Sequence, residues 1–321
     1  MMKRRVTSII LLALLLSIAI PTLPAQALIE GDSGGTAGIS NITPVITIPS
    51  LKDTGATSKN DSSIDVYTEY RISLTLADDN TLEDITTLQF KIWGPSSTEG
   101  GADSDVDHYT FVYTQATDAW DETGPDSGDE HLIVGSCVDP ADQTDGSGTF
   151  TLGFKIHKTA EYSASTEGWS IKITATDDSA ATDTDTTLMF GVNFYLEMTV
   201  DDGTHSWSTL SPGDSQQTLD TPVDTDIDMT VTANAAYDLQ GKVSAAPTSG
   251  SYTIPLANLV IHEDTVGSAV ALTTGYVDIG GLTSEAAGED NAEVFKLWLT
   301  VPNPQMDGSY TYTLYVQGIQ A

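Results

Sequence analysis

Apolar and polar side chains take turns along most of the chain. Tyr70, Ile72, Leu74 and Leu76 fall on one face of their segment, and Arg71, Ser73 and Thr75 on the other. The same period recurs in Leu88, Phe90 and Ile92, in Phe150, Leu152, Phe154 and Ile156, and in Trp169, Ile171, Ile173 and Ala175. It continues through Ile227, Met229, Val231 and Ala233, then Phe295, Leu297, Leu299 and Val301, then Tyr310, Tyr312, Leu314 and Val316. Successive side chains of an extended strand point to opposite sides, so each set marks a strand with one buried and one wet face. After the N-terminal apolar run, no stretch sustains an apolar period of about 3.6 residues over successive turns. The pattern predicts an all-β protein built as antiparallel sandwiches with Greek-key connections.

In the first half the predicted strands are 64–77, 85–93, 107–115, 131–136, 149–157, 168–176 and 187–192. In the second they are 194–200, 225–233, 236–245, 251–262, 269–279, 293–301 and 309–317. Leu188, Phe190, Val192, Phe194, Leu196, Met198 and Val200 alternate without a break, which is too long for one ordinary strand. The last strand of one sandwich therefore feeds into the first of the next near residues 191–193. Residues 28–60 are instead rich in Gly, Ser, Thr and Asn, with one apolar patch at Pro44–Pro49. The expected organisation is a leader over 1–27, a flexible arm over 28–61 with one strand-like segment, and two tandem Ig-like sandwiches over 62–192 and 193–321. The Pro44–Pro49 patch has two readings. It adds to an exposed sheet edge of a neighbouring subunit, or it forms the first strand of its own domain.

The leader has its own signature. Lys3, Arg4 and Arg5 precede the apolar run Ile9–Ile20, and Ala25-Gln26-Ala27 supplies a small-x-small cleavage site. This is the layout of a secretory signal peptide. The run is shorter than the ~20 residues a membrane span requires. No second apolar run of that length follows, so the mature chain is expected to be secreted or displayed at the cell surface, without inserting into the membrane. Charge narrows the partners further. There are 46 acidic against 12 basic residues, a net charge of −34. Such a surface repels nucleic acid and anionic lipid, and suits solubility, high salt or divalent cations. The single cysteine, Cys137, excludes an intrachain disulfide framework.

Gly31-Asp32-Ser33-Gly34-Gly35 matches the nucleophile segment of chymotrypsin-like serine proteases. Those enzymes place the histidine base and its carboxylate before the serine, inside a double barrel. Only the leader precedes Ser33, so the match is read as an accident of composition. The histidines, at 108, 131, 157, 205 and 262, show no metal spacing and are read as solvated. No phosphate loop, GxSxG elbow or zinc motif is present, and no catalytic residue or required cofactor is assigned.

Acidic loops offer more. Asp103, Asp105 and Asp107 form one set, Asp139, Asp142 and Asp145 a second, and Asp177, Asp178, Asp183 and Asp185 a third. If consecutive strands run antiparallel, these alternate loops gather at one pole, away from the exit to the second sandwich. Crowded carboxylates repel, and Ca2+ relieves this with six to eight oxygen ligands. The ten aspartates are candidate Ca2+ ligands or plain solvated turns; none follows the EF-hand pattern, since His108 stands where glycine is needed. Trp93 and Trp298 lie on the wet register of their strands. They either stack on a sugar ring or protein partner, or are covered by a loop, a sheet edge or the other domain. Trp169 shares a face with Ile171 and Ile173 and belongs to the core. Asn41 and Asn60 open glycosylation sequons.

Two stretches carry a loose family likeness. ISLTLADDNTLEDITTLQFKIW, with WSIKITATDDS further on, resembles Ig-like domains of secreted archaeal and bacterial cell-surface proteins. AAYDLQGKVSAA, YTIPLANLVI and the closing GSYTYTLYVQG resemble sandwich domains at the ends of such envelope proteins. The resemblance implies a non-enzymatic structural or adhesion role, in an envelope layer or filament, with self-association or other surface proteins as partners. The alternative is an extracellular carbohydrate-binding module using the outward tryptophans.

Overall fold

The computed structural model describes residues 40–124 and 130–321. The expected leader and Ser33 lie outside the described residues. Among the described residues there is no α-helix, only strands, short 3-10 turns and loops. The protein is all-β, as the alternation predicts.

The first half has nine longer strands. They are β1 (Val45–Asp53), β2 (Tyr70–Ala77), β3 (Ile85–Trp93), β4 (His108–Thr114), β5 (Ala119–Thr123), β6 (Ser147–Phe154), β7 (Trp169–Asp177), β8 (Thr182–Asp185) and β9 (Met189–Val192). One sheet runs β1-β2-β6 and the facing sheet β9-β7-β3-β4-β5, with β8 also on β7. In β2, Tyr70, Ile72, Leu74 and Leu76 are buried while the residues between them are half-buried. β7 does the same with Trp169, Ile171, Ile173 and Ala175. Trp169 is fully buried and stacks between Tyr109 and Phe190, with ring centroids 6.0 Å and 5.7 Å away. Its Nε1 donates to the Glu161 carbonyl at 2.9 Å.

The second half follows with β10 (Leu196–Val200), β11 (Asp226–Ala233), β12 (Tyr237–Val243), β13 (Leu259–His262), β14 (Gly288–Leu299) and β15 (Leu314–Gln320). β10-β11-β14-β13 form the larger sheet, and β12 pairs with β15 in a smaller one. The buried apolar side chains form two clusters, one drawn from residues 46–192 and the other from 219–299. Asn234, 3% exposed, sits where the halves meet. Its Oδ1 accepts the Tyr195 N–H at 2.8 Å, and its Nδ2 donates to the carbonyls of Ala160 at 3.1 Å and Asn193 at 2.9 Å.

Several expectations need correction. The strand-like segment expected within residues 28–61 is β1, and it is not free but pairs antiparallel with β2 from Val45↔Ala77 to Asp53↔Tyr70. Of the two readings of the Pro44–Pro49 patch, the structure takes the one in which it forms a strand of its own half. Residues 131–136 are not a strand. Leu132 makes one bridge to Phe154, and Val134–Ser136 is a 3-10 turn. A strand that the pattern did not reveal, β5, pairs with β4 instead. Residues 251–262 and 269–279 break into short pieces, and the final strand starts at Leu314 rather than 309.

Candidate functional site

A deep concavity lies in the second half. β10 ends at Val200, and Asp201-Asp202-Gly203 turns the chain away from the sheet. On the other side, β15 is preceded by Pro302, Pro304 and the Asp307-Gly308 turn, so Tyr310 and Tyr312 lie before the paired strand. Only Thr311 between them makes a bridge, to Thr248. The segments 201–212 and 305–316 touch through His205 and Tyr312 and together line a cleft of about 1190 Å3. Ile227, Leu299 and Ile254 contribute apolar lining, and Trp207, Tyr310 and Tyr312 add aromatic rings.

Hydrogen bonds inside the wall hold these rings. Trp207 Nε1 donates to the Gln217 carbonyl at 2.8 Å. The Tyr312 hydroxyl and His205 Nε2 are 2.8 Å apart. Burial holds the His205 imidazole below its ordinary pKa and raises that of Tyr312, so a neutral ring faces a neutral phenol at pH 7. The Tyr310 hydroxyl donates to the Met306 carbonyl at 2.8 Å. The polar atoms of these rings are therefore engaged with protein, and the cleft presents their faces and aliphatic surface beside polar side chains such as Thr204, Ser206 and Gln305. That arrangement suits contact with an amphipathic partner. Sequence reasoning missed this site. The signal that could have found it was the second short alternation, His205-x-Trp207-x-Thr209, opposite the tyrosine alternation at 310–316.

The expected tryptophan contacts fare differently. Trp298 is 6% exposed, between Thr218 and Val260 of the neighbouring strands, so its ring face is not open to a sugar. Trp93, at the end of β3 opposite His108 and Ser170, is half-buried. Of the sequon residues, Asn41 has its Nδ2 bound to Asp177 Oδ2 at 2.7 Å. Asn60 uses Oδ1 to accept the Leu51 N–H at 2.9 Å.

The ten aspartates do not share one pole. Asp103, Asp105 and Asp107 lie beside the start of β4, where the Asp107 carbonyl accepts Gly94 N–H at 2.8 Å. The 139–146 and 177–185 loops lie at the other end, linked through the loop 78–84. Leu82 N–H reaches the Asp145 carbonyl at 3.0 Å, and Asp178 N–H reaches the Asp84 carbonyl at 2.8 Å. The cause is parity. The unforeseen hairpin strand β5 adds one reversal, while residues 132–138, though not a strand, still run back along β6 through the Leu132–Phe154 and Val138–Thr151 bridges, so the later loops move to the opposite end.

Near β4, Asp103 Oδ1 takes bonds from His108 Nδ1 and Thr110 Oγ1, each 2.7 Å. Asp107 Oδ1 accepts the Ser104 hydroxyl at 2.8 Å. Asp105 Oδ1 lies 3.6 Å from His131 Nε2. At the far end, Asp142 and Asp185 accept N–H and hydroxyl bonds from Thr144 and Thr187. Asp183 Oδ2 accepts Ile46 N–H at 2.7 Å and so ties β1 to β8. Burial and the neighbouring Asp118 raise Asp139 above the usual carboxylate range. Burial, a hydrogen bond to Asp178 and the charges of Asp178, Asp78 and Asp177 raise Asp84. Among the described residues, no three His, Cys, Asp or Glu side chains stand together in a ready metal-holding arrangement.

The histidines are not solvated as expected. His108, His131, His157 and His262 are all buried. His131 shows why this is tolerated, because Glu122 Oε1 meets its Nδ1 at 2.8 Å. Burial pushes the Glu122 carboxyl up, but hydrogen bonds from His131 and from the N–H groups of His131 and Leu132 outweigh it and hold the group below its ordinary value.

No protein-family model matches the chain, and no curated protein matches it. Among solved structures, the C-terminal domain of the AgI/II polypeptide BspA of Streptococcus agalactiae is similar, with 10% identity, 86% of this chain and 95% of that one covered, and a TM-score of 0.25. The 35 kDa C-terminal fragment of the major pilin GBS80 of Streptococcus agalactiae shares 14% identity over 85% and 90% of the two chains, with a TM-score of 0.24. A DUF4466 family protein of Parabacteroides merdae has 10% identity over 88% of this chain and 100% of that one, with a TM-score of 0.29. Likenesses of this size carry no functional argument. Among the described residues, no helix is long and apolar enough to cross a membrane.

Proposed function

We propose that this is a non-enzymatic extracellular structural or adhesion protein. In this reading it consists of two tandem sandwiches meeting near residue 193, and the cleft of the second is its contact surface. The observation that carries the reading is the cleft, about 1190 Å3 in volume and walled by aromatic rings whose polar atoms already bond to protein. Such a wall grips a partner through apolar and ring contact. The leader-like N-terminus and the strongly acidic composition fit work outside the cell.

A second reading, glycan capture, draws on the Trp207 and Tyr312 rings, 6.2 Å apart and inclined by 39°. One experiment tests both. Self-association is followed by light scattering, and retention on immobilised polysaccharides by affinity electrophoresis, for wild type and for Trp207→Ala. Loss of self-association in the variant supports the structural reading, and loss of retention supports the glycan reading. A wild-type protein that stays monomeric and unretained, or a variant that behaves identically, overturns the role of the cleft.

A further inference from the structure

β15 is an edge strand, paired with β12 on one side and with no described strand on the other. The ladder fixes which backbone groups are spare. Ser244 N–H bonds to the Thr313 carbonyl and Ala321 N–H to the Ala236 carbonyl. Residues 313, 315, 317, 319 and 321 therefore turn their N–H and C=O toward β12. Leu314, Val316, Gly318 and Gln320 turn theirs outward, and no described residue bonds to them. The Thr311–Thr248 bridge carries the same parity back to Tyr310 and Tyr312. The side chains of Tyr310, Tyr312, Leu314 and Val316 are only half-buried, whereas the equivalent sets in β2 and β7 are buried.

The other longer edges are guarded against pairing with another chain. β1 has an irregularity between Thr47 and Ser50, beside Pro49, and Asp183 Oδ2 takes its Ile46 N–H. β6 is flanked by residues 132–138 through the Leu132–Phe154 and Val138–Thr151 bridges. β5 carries Asp121 and Glu122, and β10 carries Glu197 and runs into Asp201 and Asp202. β15 has no such device. From Ser309 to Ala321 there is no Asp, Glu, Lys, Arg or His, in a chain of net charge −34. At an uncharged edge two copies of so acidic a chain can approach without setting carboxylates against each other.

We propose that β15 is a self-association edge, and that its partner is the β15 of a second copy of this chain, added antiparallel across a two-fold axis at Tyr315. The inference rests on the reading of the cleft as a contact surface, whose wall β15 forms, and names the partner. A two-fold makes the pairing isologous, with each copy offering the same residues. With the axis at Tyr315, Leu314 exchanges backbone bonds with the Val316 of the second copy, and Val316 with its Leu314. Two three-stranded sheets thereby become one of six strands. The Tyr315 rings, 45% exposed, meet as a cross-strand pair on the outer face. On the inner face, Leu314 and Val316 of each copy gain apolar neighbours on their open side.

The test is light scattering over about 10⁻⁶–10⁻⁴ M protein, where weak homodimers dissociate. Wild type is expected to pass from monomer to dimer. The dimer should tighten between ~0.01 M and ~0.15 M salt, because the edge itself is uncharged and salt screens only the repulsion between the copies. Tyr315→Glu sets two carboxylates face to face at the axis and should raise the dissociation constant at least about tenfold. Lys242 Nζ, 5.4 Å from the Tyr315 ring centroid, offers that carboxylate a partner within its own chain. A second measurement is independent of this variant. In a Cys137→Ser background, Tyr315→Cys should link two copies by a disulfide on mild oxidation, since such antiparallel pairs bring Cα atoms to about 4.5 Å. Tyr252→Cys, at a position 47% exposed, should not. A wild type that stays monomeric, a Tyr315→Glu dimer as tight as wild type, or cross-linking no greater at 315 than at 252 overturns the proposal. Self-association that falls in Trp207→Ala but persists in Tyr315→Glu overturns the edge pairing alone and leaves the cleft as the contact surface.

Discussion

Asn234 makes the strongest single prediction. It is 3% exposed, and its amide makes three hydrogen bonds where the halves meet, at 2.8 Å to Tyr195, 2.9 Å to Asn193 and, across to the first half, 3.1 Å to Ala160. In Asn234→Ala the Tyr195 N–H and the carbonyls of Ala160 and Asn193 lose that partner together. A buried polar group left unpaired costs about 1–3 kcal/mol. Ala160 is fully buried, while Tyr195 is half-buried and Asn193 exposed, so water repairs part of the loss. The expected cost is about 3–5 kcal/mol. At roughly 2–4 °C per kcal/mol, that lowers the unfolding midpoint by about 10 °C.

The matched variant is Asn234→Asp, which keeps the outline and the acceptor but points a carboxylate at two carbonyl oxygens. Desolvation and those oxygens raise the new group's folded pKa above its unfolded value of about 3.9. Ionisation therefore destabilises the variant above the folded pKa, and protonation recovers stability as the pH falls. Urea unfolding, read by tryptophan fluorescence between neutral and acid pH, measures both effects. A loss under about 1 kcal/mol in Asn234→Ala, or an Asp variant that parallels wild type at every pH, would refute the reasoning.

Other expectations follow from single side chains. Hydrogen bonds hold Glu122 below 4.5, so its contribution is present above that value and disappears as the pH falls through the lower folded pKa. Glu122→Gln should then cost about 1–3 kcal/mol at pH 7 and progressively less in acid, as pH-dependent urea curves will report. Ile48 has φ 52° and is 80% exposed, a left-handed backbone on a β-branched residue with little burial to lose. Ile48→Asn should gain about 0.5–1 kcal/mol, and a loss in thermal unfolding would contradict the strain argument. A Cβ at Gly148 would lie 2.3 Å from Pro140 Cγ and 2.9 Å from Leu82 Cδ1. Gly148→Ala should cost about 1–3 kcal/mol in denaturant unfolding by forcing the 139–146 loop off β6.

The sequence foretold the fold where apolar and polar residues alternated strictly. Strands β3, β4 and β7 fall within a residue of their expected bounds because each carries an unbroken alternating set of buried apolar residues, Leu88-Phe90-Ile92, Tyr109-Phe111-Tyr113 and Trp169-Ile171-Ile173. β5 escaped notice because Ala119-Trp120-Asp121-Glu122-Thr123 has only one large apolar side chain. It is an edge strand, held by backbone pairing to β4. Missing it inverted the loop parity and misplaced one acidic set relative to the other two. The buried histidines were equally hidden. Nothing local says that His131 will find Glu122, since the pairing depends on β5 itself. The contact between Asp84 and Asp178 was hidden for a related reason. It follows from β3 and β7 being neighbours, a fact of sheet order between segments far apart in the chain.

With 46 acids and 12 Lys or Arg, the fold cannot pair its interior carboxylates with strong cations. It uses weaker donors in their place. Asp177 has a backbone N–H and an amide, Asp183 a backbone N–H, Asp103 an imidazole and a hydroxyl, and Glu122 an imidazole with two backbone N–H groups. Donors of this kind are fixed in place by the strands and turns that carry them, so each carboxylate also locks a loop to a sheet. Asp78 Oδ2 departs from this pattern, because its loop meets another acidic loop rather than a set of N–H groups. The same scarcity of cations thus leaves that one buried oxygen without a donor.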